Sequence, residues 1–239
     1  MCDTRRVTAT GARARVRAEL TREITEVARR HLASGGASAL SLRAVARELG
    51  MASSALYRYF PSRDDLLTAL IVDAYDALGG AAEAADARVA REDLRGRWVA
   101  VCRSAREWAI AHPHEYALVY GTPVPGYAAP QTTIGPASRV GEVLCGQIRD
   151  GVAAGAIATG ADATGADATL APGIAERIGL SAGTAGPMSS LAARAIFGWT
   201  ALFGMISFEL FGHMTNVVEH REEFFTDAAN RVAVLIGVP

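Results

Sequence analysis

Lysine is missing altogether: the chain of 239 residues carries 24 basic side chains, and every one is arginine. With alanine and glycine abundant, that bias reflects a GC-rich coding sequence and says nothing of fold. Cysteine is scarce, and Cys2, Cys102 and Cys145 are odd in number and widely spaced. That pattern excludes a disulfide framework and a zinc-binding spacing, and a reducing cytoplasm is the simple reading. No block of alternating β-branched residues reads as a strand, so an all-α protein is expected. No apolar core follows a basic start, so no signal peptide is expected. The most apolar stretch, residues 195–211, is 17 residues long and contains Glu209. A membrane-spanning helix needs roughly 20 apolar residues, so no membrane partner is expected. Catalytic groupings are missing as well: there is no nucleophile–base spacing, phosphate loop or metal set. His112, His114 and Glu115 crowd a segment broken by Pro113 and do not converge as metal ligands. A buried histidine bonded to a backbone carbonyl is the expectation there. Neither an enzyme nor a resident cofactor or metal is expected.

What is present is a well-filled globular composition, 50% hydrophobic and 21% charged, in a chain long enough for a small domain and a larger one. Charge is unevenly spread. Residues 1–63 hold twelve arginines against five acids, and the rest holds twelve against twenty. A basic end joined to an acidic body is the electrostatic footprint of nucleic-acid binding.

The most informative stretch is residues 41–60. Leu42, Val45, Ala46 and Leu49 share one helical face. Ser41 stands at the N-cap, and Gly50 follows where a helix C-terminus favours the left-handed conformation. A second helix starts near Ala52, turning Leu56 and Phe60 inward and Ser53, Ser54, Tyr57 and Arg58 outward. A short helix held at an angle by its predecessor, presenting small polar residues, Tyr and Arg, fits a DNA major groove. Arg43, Ser53, Ser54 and Tyr57 are expected at base edges or adjacent phosphates. Ser41, Arg58, Tyr59 and Arg63 are expected to hold phosphates and fix register.

On Ser41–Ala46, Leu49–Ala52, Leu56–Phe60 and Asp65–Leu67, taken in order, the segment from about residue 20 to 70 resembles the DNA-binding domain of TetR-type transcriptional regulators. The resemblance implies a three-helix helix-turn-helix domain followed by a helical ligand-binding and dimerisation domain. It also implies a homodimer on an operator duplex, a small-molecule effector, and a helix after residue 62 that carries the signal between the parts. A second block, residues 108–127, is similar to the body of one TetR subgroup in which a Trp, a His and a Gly recur. The counterparts here are Trp108, His112 or His114, and Gly121.

The domain reading follows. Residues 1–12, with Arg5 and Arg6, read as a flexible basic arm on DNA or equally as an unordered end. Residues 13–62 form the reading domain. Its first helix, about 14–33, buries Leu20, Ile24, Val27, Ala28 and Leu32, and presents Arg13, Arg15, Arg17 and Arg22 to DNA phosphate or to solvent. Residues 63–239 form the body. Ser62 and Asp65 resemble a capping box. The next helix is expected to run to about residue 78, where Gly79 and Gly80 read as a stop or a hinge. Trp98, Trp108, Tyr116 and Tyr120 read as ligand-lining or as ordinary core. Residues 155–187 are rich in Gly, Ala, Thr and Asp and repeat Thr-Gly-Ala-Asp-Ala, so a mobile loop is expected, with a short helix over 172–178. Residues 188–212 form a helix apolar nearly all round, one side of which is expected to meet another chain. With a closing helix over 219–236, the resemblance implies that it builds the dimer face, to which Phe197, Trp199, Phe203, Phe208, Phe224 and Val232 are assigned. The resulting function is a ligand-responsive DNA-binding regulator, a repressor released by a lipophilic effector. The alternatives are a helical small-molecule-binding protein and a membrane-associated adaptor.

Overall fold

The structure is a computed structural model that describes residues 4–158 and 190–239. The expected short helix at 172–178, and the expected loop beyond residue 158, lie outside the described residues. Among the described residues there is no strand. The α-helices are α1 (Thr4–Gly35), α2 (Leu42–Glu48), α3 (Ser53–Leu56), α4 (Arg63–Asp86), α5 (Leu94–Ala111), α6 (Pro113–Tyr120), α7 (Ile134–Ala153), α8 (Ser190–Leu210) and α9 (Arg221–Ile236). Helix α1 begins well before residue 14. Residues 4–12, expected as an arm, are helical, because alanine and arginine propagate a helix and Gly11 costs only about 1 kcal/mol in one.

Two compact units form, residues up to 74 with 114–133, and residues 75–113 with 134–239. In the first unit the start of α4 is core: Leu66, Leu67 and Leu70 are buried with Ile24, Val27, Leu32, Val45 and Leu56. Polar ties reinforce it. Arg29 donates to Asp73 Oδ2 at 2.7 Å and lies 4.0 Å from Glu115, and the hydroxyls of Thr68 and Tyr127 are 2.9 Å apart. Ion pairing at these half-buried positions is worth less than burial of the leucines, which decides the grouping.

In the second unit α9 packs on α8 and α5, and α7 packs on α5 and α8. Trp98 sits at the centre, 1% exposed, with its Nε1–H donated to the Ala229 carbonyl at 3.0 Å. Arg97 is buried and held by a bidentate bond to Asp86 at 2.9 Å and by Asp150 at 2.8 Å. Burial pushes the Asp86 carboxyl upward, but hydrogen bonds from Arg97 and Gln147 outweigh it and leave the group below the ordinary carboxylate range.

Gly79 and Gly80 do not stop α4, which continues to Asp86. They make room for Arg139 of α7. A Cβ on Gly79 would stand 2.7 Å from Arg139 Cβ, whereas one on Gly80 would meet only Arg139 Nη2 at 3.7 Å. The guanidinium donates to both Glu83 oxygens at 2.8 and 2.7 Å, and to the Asp76 carbonyl and carboxylate at 2.9 and 2.8 Å. Gly79→Ala should therefore cost about 1–3 kcal/mol through overpacking. Gly80→Ala should be neutral or stabilising by up to about 1 kcal/mol through helix propensity. Urea denaturation of the two variants checks this, and equal effects would refute the close-approach account.

Helix α8 corrects the length argument against a membrane span. Residues Leu191–Leu210 are long and apolar enough to cross one by length and composition, a test that the core helix of a soluble protein also passes. Glu209 does not float in this apolar helix: Arg106 of α5 grips both its oxygens at 2.7 Å.

Candidate nucleic-acid interface

The turn between α2 and α3 follows from local chemistry. Gly50 takes φ +64°. Its N–H donates to Arg47 O at 3.2 Å and the Met51 N–H donates to Ala46 O at 2.9 Å. This paired closure satisfies two carbonyls that the end of α2 would leave bare, and only glycine enters that φ without strain. Ser41 is the N-cap residue in extended conformation, but its side chain makes no capping bond; its carbonyl accepts from Val45 N–H at 3.0 Å. Helix α3 is only one turn long, shorter than expected. The chain stays coiled to Phe60 through bonds such as Tyr59 N–H to Leu56 O at 2.8 Å and Phe60 N–H to Leu56 O at 3.1 Å.

Beneath this pair of helices Leu42, Val45, Ala46, Leu56 and Phe60 are buried. Above it Arg43, Ser53, Ser54, Tyr57 and Arg58 are exposed, Ser41 and Tyr59 are half-buried, and Arg47, which the sequence pattern did not single out, is exposed as well. The core residues thus fix the angle of a surface made of arginine, hydroxyl and phenol groups, the donors suited to phosphate oxygens and base edges.

Arg63 is also tied to the backbone. Its guanidinium donates to Ala37 O at 2.7 Å and to Leu40 O at 3.2 Å. It closes the short 3-10 turn Ala37–Ala39 against the start of α4. The carbonyls of that turn need donors, and no helix continues there to supply them. Ser62 and Asp65 do cap α4: Asp65 N–H donates to Ser62 Oγ at 3.1 Å, and the hydroxyl donates to the Asp65 carboxylate at 2.6 Å. Asp, shorter than Glu, thus meets the hydroxyl.

Arg17 is the residue that sequence reasoning left among many. Its guanidinium lies over the Tyr59 ring, 5.3 Å from the centroid, and Nη2 reaches the Arg58 carbonyl at 3.5 Å. Glu19, Glu23, Glu26, Arg22 and Arg30 of α1 line an open groove of about 380 Å³ with Val27 and with Leu49, the residue that ends α2. Nearby, Arg30 and His31 bond the two oxygens of Glu48 at 2.8 and 2.6 Å. The Arg30 bond first, then His31, holds the Glu48 carboxyl below its ordinary range.

The four aromatics expected around a ligand are drawn from both units. Trp98 and Trp108 belong to the second unit, Tyr116 and Tyr120 to the first. Trp98 is core. Trp108 is buried and stacks on His112, ring centroids 5.2 Å apart, and His112 Nδ1–H donates to the Trp108 carbonyl at 2.9 Å. His112 rather than His114 is therefore the partner of the tryptophan, although it is exposed and not buried as expected. Tyr116 is buried, with its ring 5.1 Å from that of Tyr120. Gly121 closes α6 where a Cβ would stand within 2.3 Å of the Ala117 carbonyl oxygen.

Of the residues expected on a dimer face, Phe197, Trp199, Phe208 and Phe224 are exposed, at 49, 39, 57 and 43%. Phe203 and Val232 are corrections: both are buried within the chain. Their places outside are taken by Phe211, Val234 and Leu235, which are exposed. Along α8 the exposed positions Ala193, Phe197, Thr200, Gly204 and Phe208 recur every three or four residues, a single helical face.

Comparison with known proteins adds two family matches. Residues 24–70 match the model for bacterial regulatory proteins of the tetR family, and residues 98–232 match a tetracyclin repressor-like C-terminal domain. An HTH-type transcriptional regulator of Mycobacterium tuberculosis, Rv1816, is 45% identical over 156 residues; the match covers 65% of this chain, which spans 65% of that relative's length. Among solved structures, the regulatory protein SCO4313 superposes with a TM-score of 0.70 at 32% identity, covering 92% of this chain and 97% of that one. A regulatory protein of the tetR family from Rhodococcus RHA1, at 15% identity and a TM-score of 0.61 over 91% of this chain and 96% of its own, shares the fold.

Proposed function

Because this chain belongs to the tetR family of bacterial regulatory proteins, we propose that it is a cytoplasmic, homodimeric repressor that binds an operator duplex and leaves it when a small lipophilic effector binds. The observation that carries the reading is the exposed row Arg43, Ser53, Ser54, Tyr57 and Arg58 over a fully apolar base. A single short reading element is weak, and two become specific when a dimer grips half-sites about 34–36 Å apart. The exposed apolar face of α8, with Phe224, Val234 and Leu235 of α9, supports pairing with a second copy, since a contiguous apolar patch on a monomer is unfavourable in water. An effector acts only through its differential affinity for the two forms of the dimer, one whose reading elements match the half-sites and one whose elements do not.

Duplexes selected from a random-sequence pool by the protein provide the test. Binding should weaken steeply as salt rises, because arginines release condensed counterions from phosphates. Arg43→Ala and Tyr57→Ala should each cost about 1–3 kcal/mol of binding and relax preference at the bases they face. Full-strength binding by the two variants would remove these residues from the interface.

A second reading rests on α8, whose length and hydropathy permit a membrane span. The buried Arg106–Glu209 pair speaks against it, since an ionised pair is costly in hydrocarbon. Cosedimentation with lipid vesicles separates the two readings, because only the adaptor pellets with lipid.

A further inference from the structure

We infer that the N-terminal half of α1 is a second duplex-binding surface, with Arg13 and Arg17 gripping the phosphate backbone beside the reading helices. The inference rests on the DNA-binding reading and extends it to an element outside the helix-turn-helix. Residues 11–19 are all exposed and Leu20 is half-buried, so this length of helix stands clear of the core that begins at Ile24. A free helical stretch is placed for a partner when one of its faces is continuous with an interface, and Arg17 supplies that continuity. Its guanidinium lies 5.3 Å from the centroid of the Tyr59 ring, at the end of the coil that starts with α3. Arg13, four residues earlier, lies one turn along the same face.

Charge around α1 is segregated in the same sense. Glu19, Glu23 and Glu26 line the groove on the other side, and Arg15 and Arg22 fall on that side too by helical spacing. The face that carries Arg13 and Arg17 toward Tyr59 is therefore free of these three acids, which suits a polyanion. Arginine is apt here, because a planar guanidinium can stack on an aromatic ring and still offer donors to a phosphate. Phosphate contacts of this kind carry no sequence information; they add affinity and fix register.

The experiment compares binding of a pool-selected duplex and of an unrelated duplex across a range of salt concentrations. The proteins are wild type, Arg13→Ala, Arg13→Ala with Arg17→Ala, Arg13→Lys with Arg17→Lys, and Arg15→Ala, each confirmed as folded by circular dichroism. The double alanine variant should lower the slope of log K against log salt by about 3 to 4 for a dimer, near 0.9 for each phosphate no longer neutralised. The decrease should be alike on both duplexes, and lysine at both positions should restore the slope. Arg13→Ala alone, remote from Tyr59, should remove about half of it. Arg15→Ala should leave the slope unchanged. An unchanged slope in the double alanine variant overturns the inference, as does an equal decrease in Arg15→Ala, which would mean a general field and not a face. If wild type itself selects no duplex, the DNA-binding reading fails too, and that outcome is distinct from the others.

Discussion

Arg106→Met should lose about 3–5 kcal/mol of folding stability, and adding Glu209→Met should recover most of it. Arg106 donates to both oxygens of Glu209 at 2.7 Å, and the side chains are 12% and 9% exposed. The bond to Glu209 outweighs burial and raises the Arg106 pKa further, so the guanidinium stays charged. Burial of two charges is costly, and their attraction only about offsets it. Removing one leaves a carboxylate stranded in an apolar helix, whereas removing both substitutes hydrophobic contact for a near-neutral balance. The guanidinium also lies over the Phe225 ring, 5.5 Å from its centroid, so the pair ties α5 to both α8 and α9. Denaturant titration at one fixed protein concentration measures the effect, since dimerisation would make stability depend on concentration. If the single variant were as mild as the double, Glu209 would be wet and the pair merely superficial.

The second large effect concerns Trp98, which sequence composition offers equally as a ligand contact and as core. Trp98→Ala should destabilise by about 3–5 kcal/mol, the range for emptying a buried aromatic site. The indole is 1% exposed, its N–H is bound to Ala229 O, and a Cβ on Gly198 would stand 2.7 Å from its Cη2. Gly198→Ala should be harmful in the wild type and tolerated, even helpful, once Trp98 is alanine, because the methyl then enters the space the indole vacates. The two changes should therefore be strongly non-additive in a double-mutant cycle. Simple additivity would mean that α5 and α8 do not meet at this point. Loss of fold, and not loss of effector response in a folded protein, is the expected phenotype of Trp98→Ala.

Much of the reading domain was legible because its signals are local. Leu42, Val45 and Ala46 share a face by spacing, Gly50 sits where a left-handed residue must close α2, and Ser62 precedes an acid at capping distance. Each of these signals spans four or five residues, the reach of one helical turn. Helix α8 was legible as buried but not in orientation. Apolar residues surround it, so periodicity carries no phase, and Phe203 and Phe208 cannot be told apart until the neighbours are in place. Gly79 was ambiguous for the same reason: a glycine reads as a helix stop until the side chain that needs the space, Arg139, some 60 residues later, is seen against it.

The amino-acid sequence by itself determined the helical class, the arginine-rich front end, the turn at Gly50 and the outward row of Arg43, Ser53, Ser54 and Tyr57, all of which depend on neighbours within a turn or two. Only the tertiary structure decided that Arg63 serves a backbone turn, that Trp98 is core, that Phe203 and Val232 face inward, and that Glu209 belongs to Arg106. Those assignments are choices among partners distant in sequence. They are made by which groups must be satisfied or buried together once the helices pack, and no local pattern records that outcome.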